Sequence, residues 1–122
     1  MAQVETEKGL REQLGTLAHE IRNMATTPVV QQQGTYAPDN ATFRWMGSVA
    51  QDKQGNMAVG YSVSSATMNP ALRFATRLAG DAPGALSSET NVISGTGSQT
   101  GYNLSRWGDY TQMAVDPDGC TF

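Results

Sequence analysis

Cysteine, histidine, net charge and long apolar runs are all scarce in this chain of 122 residues. The single cysteine, Cys120, excludes an internal disulfide. It reads as a small semi-buried side chain near a chain end, with an intermolecular bridge as the alternative. One His and one Cys leave no zinc-type ligand spacing. No metal and no cofactor is therefore expected. The net charge is only -3, from 8 Lys+Arg against 11 Asp+Glu. Such a chain lacks the basic face that phosphate neutralisation needs, so nucleic acid is not expected as a partner. No apolar run approaches the ~20 residues of a membrane span, so no membrane partner is expected either. The N-terminus is charged and lacks the apolar stretch of a signal peptide. The chain reads as soluble, with no compartment indicated.

Glycine, by contrast, is frequent at 13 residues, and Ser, Thr, Asn and Gln are abundant. That composition suits short strands joined by many turns. The length fits one domain.

The chain divides near Ala25. Before it, Leu10, Leu14, Leu17, Ile21 and Met24 step by four, three, four and three. This spacing predicts an amphipathic helix within residues 1–25. Gly9 and Gly15 weaken it, and Thr26-Thr27-Pro28 ends it. Glu5, Glu7, Lys8, Arg11, Glu12 and Glu20 fall mostly off the stripe. The stripe is too short for a coiled coil, so its five apolar residues are a predicted docking interface.

Residues 26–122 change period. Val29–Gln33 is a candidate strand, and Gly34–Asn40 is turn-rich. Thr42–Gln51 reads as a strand, Asp52–Asn56 as a hairpin turn, and Met57–Ser64 as a strand of clear alternation. Asn69-Pro70 is expected to break the pattern. Leu72–Leu78 follows as a strand whose polar face carries Arg73 and Arg77. Glu89–Ser94 and Asp109–Val115 complete a set of about five strands, and Asp116–Gly119 is a second turn. The predicted fold class is thus α+β and mainly antiparallel, one N-terminal helix (1–25) joined to a blade-like sheet module (26–122).

There is a weak internal repeat. Arg44-Trp45, followed by Asp52 and Gly55, returns as Arg106-Trp107, followed by Asp116 and Gly119. Four short strands followed by a restart is the pattern of a propeller blade and its neighbour.

The run from Asp39 through Arg77, with Ser105-Arg106-Trp107-Gly108-Asp109-Tyr110, resembles a bacterial sialidase-like β-propeller. The shared elements are the Asp52–Asn56 hairpin, the Tyr61-Ser62 pair and the Arg-Trp-Gly-Asp-Tyr run. The resemblance covers roughly residues 25–122 and implies a propeller fold with glycan chemistry. The family's Asp box is degraded here, since Pro117 stands where its Asp belongs. Its arginine cluster is not traceable, and Arg73, Arg77 and Arg106 read as strand-face and loop residues. Separately, Leu17-Ala18-His19-Glu20-Ile21-Arg22-Asn23 is similar to the H-box of sensor histidine kinases. That resemblance implies His19 as a phosphoryl acceptor, although no ATP-binding region follows. Two unrelated resemblances meeting near Arg22–Ala25 imply a composite chain.

Other chemistry is thin. Asp116-Pro117-Asp118-Gly119 resembles the start of a calcium loop without its downstream Glu. Asp52, Asp109, Asp116 and Asp118 offer carboxylates, but turn formers are among them. Trp45, Trp107, Tyr61, Tyr102 and Tyr110 suit either a core or a sugar-stacking surface. The expected function is that of a non-enzymatic, self-associating β module, a fragment of a larger propeller; the alternative is a glycan-binding or sialidase-like glycoside hydrolase remnant, or a phosphoacceptor at His19. Partners are other copies of the chain, with carbohydrate as a second class.

Overall fold

The computed structural model describes residues 2–5, 16–101 and 106–122. Among them there is no helix, and the strands form two antiparallel sheets. The first sheet has the order β1 (Ala2–Glu5), β2 (Thr16–Arg22), β3 (Val29–Tyr36). The second is a meander of β4 (Phe43–Gln51), β5 (Met57–Ser65), β6 (Met68–Arg77) and β7 (Thr90–Ser94).

The predicted N-terminal helix is therefore corrected, and with it the α+β class. Thr16–Arg22 is a strand, paired with β3 from Thr16↔Tyr36 to Arg22↔Val29. The cause lies in the spacing. Leu17 and Ile21, four apart, share one face of a helix and equally one face of a strand. Only the steps of three distinguish the periods. Two of the five stripe residues, Leu10 and Leu14, lie outside the described residues. Met24 stands in the β2–β3 turn and is 56% exposed. Asn23 opens that turn with φ 60°, a left-handed conformation that Asn tolerates. Because β2 pairs with β3 across residue 25, the composite reading of a separate helix joined to a sheet is corrected too.

The second sheet follows the alternation of its sequence. The Asp52–Asn56 turn closes on Asp52, whose carboxylate accepts from the Gln54 and Asn56 amides, each at 2.8 Å. Gly55 takes the positive φ this turn needs. Met57, Val59, Tyr61 and Val63 project from β5 toward the first sheet and are all buried. Tyr36 of β3 packs on that cluster, its ring centroid 6.0 Å from that of Tyr61.

Two details of β6 depart from expectation. Asn69-Pro70 does not break the pattern, because the ladder slips by one residue there: Val63↔Ala71 is followed by Ser65↔Met68. A bulge is where a strand tolerates a proline. The faces are also reversed. Ala71, Ala75 and Arg77 are the buried residues, while Leu78 is 61% exposed.

Residues 106–122 contain no strand, so the predicted Asp109–Val115 strand is corrected. The segment crosses the other face of the second sheet, over β4 and β5. Its cover explains why Ala58 and Ser62 are buried as fully as the core side of β5.

Candidate functional site

The densest chemistry lies between the sheets, around Arg44. An arginine on the inward face of a strand needs counter-charges, since a buried unpaired cation is strongly unfavourable. Arg44 is fully buried. Its Nε donates to Glu89 Oε1 at 2.7 Å, its Nη2 to Asp39 Oδ2 at 2.5 Å, and its Nη1 to the Thr42 carbonyl at 2.9 Å. Glu89 also accepts from the Tyr61 hydroxyl at 3.0 Å and from Arg73 Nη1 at 2.8 Å. Asp39 is oriented by the Ala41 and Thr42 amides.

The electrostatics follow from this wiring. Burial pushes the Glu89 carboxyl up, but hydrogen bonds from Arg44, Tyr61 and Arg73 outweigh it and hold the carboxyl below its ordinary value. The Arg44 guanidinium and the Ala41 amide hold Asp39 well below the carboxylate range. Burial and the Glu89 charge raise the Tyr61 phenol well above its ordinary value. The Glu89 and Asp39 carboxylates, in charged form, and the Tyr61 hydroxyl, in neutral form, are thus committed to other protein groups. The arrangement joins β4, β5, β6 and the segment before β7, and it suits a structural clasp.

The internal repeat has a physical counterpart. The Trp45 indole N–H donates to the Trp107 carbonyl at 2.9 Å, with the two rings edge-to-face and 6.0 Å apart. Thr111 Oγ1 donates to the Met46 carbonyl at 2.6 Å, and the Met113 amide to Ser48 Oγ at 2.7 Å. Lys53 meets the second turn, its Nζ at 2.7 Å from the Asp118 carbonyl and its amide at 3.0 Å from that of Gly119. The side-chain contacts join residues separated by 62 to 66 positions. The second copy of the repeat therefore runs alongside the first in the same direction. Gly108, at φ 66°, passes so close to β5 that a Cβ there would lie 2.7 Å from Ser62 Oγ. Ser62 Oγ is buried and has no hydrogen-bond partner among the described residues.

This cover stops short of the sheet edge. Over β6 and β7 a groove of about 560 Å³ remains, lined by Leu72, Phe74, Val92, Tyr110, Met113 and Phe122 among others. Beyond it β7 is the outer strand, paired only through β6 among the described residues. All five of its residues are exposed, with Val92 at 61% and Ile93 at 59%.

The residues singled out from sequence fall elsewhere or behave differently. His19 lies on β2 opposite Gln3 and Gln33, so its expected place on a helix is corrected. Its acidic neighbour Glu20 is buried, held by Arg22 at 2.6 Å and Gln32 at 2.5 Å. Adjacent strand residues face opposite ways, which removes the His–acid geometry of an H-box. Leu17 and Ile21 sit on β2 rather than on a helical stripe. Arg73 joins the clasp, Arg77 binds the carbonyls of Asp81 and Ala82, and exposed Arg106 pairs with Asp109. Tyr61 is core, Tyr110 is exposed, and Tyr102 lies outside the described residues. Cys120 is exposed rather than semi-buried. Asp116 and Asp118 form the expected turn, the latter accepting from the Cys120 and Thr121 amides. The clasp itself went unread in the sequence. The only available signal was an Arg at an inward position of a strand.

No family model, curated protein or solved structure matches this chain. The resemblances to a sialidase-like propeller and to an H-box gain no support from known proteins, and Thr16–Arg22, which holds most of the second motif, is a strand rather than a helix.

Proposed function

We propose that this chain is a non-enzymatic structural module that associates with a second copy of itself through the β6–β7 side of its second sheet. The observation that carries the reading is the uncharged outer strand Thr90–Ser94 bordering the apolar groove. Exposed strand edges are templates for pairing, and proteins that stay monomeric guard them with Lys, Pro or a covering element. Strand β7 carries neither Lys nor Pro. A second copy is the favoured occupant for a reason of sequence. The covered half of the same face is already occupied by a segment that repeats the β4 pattern, so this face suits the chain's own repeat. A net charge of -3 sets only weak repulsion between copies.

The test is solution mass by light scattering on a sizing column, for the wild type and for Ile93→Lys. The wild type is expected as a discrete species heavier than 13.0 kDa. The variant, which places a charge on the edge, is expected to shift toward the monomer. A wild type that stays monomeric at high concentration contradicts the reading.

A further inference from the structure

We infer that the cleft where the two Arg-Trp repeats meet is a binding site for neutral saccharide. The cleft has a volume of about 260 Å³ and lies at the β5–β6 turn, on the face crossed by residues 106–122. Trp45 and Trp107 form one wall, both half-buried. Ser64, Pro70, Ser98 and Gln99 also line the cleft. Ser98 Oγ donates to Asn69 Oδ1 at 2.8 Å, which ties the segment after β7 to the β5–β6 hairpin.

Three features select the ligand class. First, the cleft offers indole surface, which suits an apolar C–H face; aromatic rings supply large contact area at defined geometry. The Trp45 indole N–H is already engaged by the Trp107 carbonyl, so Trp45 presents ring surface rather than a donor. Second, hydroxyls and a carboxamide stand in the same cleft, and the Gln99 amide provides both a donor and an acceptor. A sugar ring, with one apolar face and a hydroxyl rim, matches that pairing. Third, every lining residue among the described ones is uncharged. None of them is a cation that could pair with a carboxylate or phosphate, so the class is neutral saccharide rather than an acidic one. The site is separate from the β7 edge and does not rest on self-association.

Both of the chain's 2 tryptophans line this cleft, so all of its tryptophan emission reports from the site. The full chain is titrated with cellohexaose, with maltohexaose and with sialyllactose, following that emission. At least one neutral oligosaccharide is expected to change the emission saturably, with sialyllactose weaker. Gln99→Ala is expected to weaken binding about fivefold, the loss of one hydrogen bond. Trp107→Ala is expected to abolish it, read by calorimetry. Far-ultraviolet circular dichroism and melting establish that each variant is folded, and if Trp107→Ala is not, the exposed Gln99 decides. The proposal is overturned if neither neutral oligosaccharide binds at about 50 mM, well above the millimolar range of weak ligands. It is also overturned if folded Gln99→Ala binds like the wild type, or if sialyllactose binds more tightly.

Discussion

Trp45 donates its indole N–H to the main-chain carbonyl of Trp107 at 2.9 Å. The two residues are equivalent members of an internal repeat, and their contact fixes the start of residues 106–122 across the second sheet. From there the segment follows β4 to the Asp52–Asn56 turn, where Lys53 receives it. One half of the sheet face is covered in this way and the other half is left as a groove.

The Arg44 clasp makes a stability prediction. Glu89 accepts from Arg44, Tyr61 and Arg73 together. Removing it in Glu89→Ala leaves a buried guanidinium without that partner, which costs about 3–5 kcal/mol. Urea denaturation should show a lower midpoint with little change in slope. A loss within the range of ordinary surface substitutions, ~0.5 kcal/mol, would mean that the clasp is not a stabilising contact.

The same cluster sets the acid limit. Glu89 and Asp39 have carboxyls held below their ordinary values in the folded chain, and so, outside the cluster, has Glu20 on β2. Groups of this kind contribute stability that is complete above the unfolded-state pKa, near 4, and that is lost as pH falls through the lowered folded value. Stability from these groups should therefore be flat from neutral pH down to about 5 and then fall. In Glu89→Gln the fall should be shallower. Equal slopes for the variant and the wild type would show that Glu89 is not linked to folding.

Ser62 and Gly108 make opposite predictions at one contact. The Ser62 hydroxyl is buried without a hydrogen-bond partner among the described residues, so Ser62→Ala should leave stability unchanged or raise it by up to ~1 kcal/mol. Gly108→Ala places a Cβ on that hydroxyl and strains a positive φ, and should lower stability by about 1–3 kcal/mol. Thermal unfolding of the two variants separates them. A destabilising Ser62→Ala would contradict the packing described.

Cys120 is exposed and its sulfur accepts from the Gln54 carboxamide at 3.4 Å. A thiol reagent should label it in the folded protein as fast as in urea, once rates are corrected for the solvent. Protection in the native state would place the C-terminal turn elsewhere.

How much of this was legible in the sequence differs by element. Strands β4, β5 and β7 and both Asp–Gly turns carry period-2 alternation and turn residues, signals that act locally. Strand β2 was misread because a spacing of four serves helix and strand alike. Only its partners, β1 and β3, decide between them. The inward face of β6 was misread because Arg77 and Arg73 look like solvent residues until Glu89 and the Asp81 and Ala82 carbonyls are seen to receive them. Those partners come from loops and strand ends, where sequence spacing carries little information. The repeat was legible, but not that its two copies lie against each other.

The central claim, that the β6–β7 side receives a second copy, is tested most directly by amide hydrogen exchange across a concentration series. The amides of Thr90–Ser94 should become more protected as concentration rises, while those of β5, already interior, should not change. Exchange of β7 that is identical at every concentration would contradict the account.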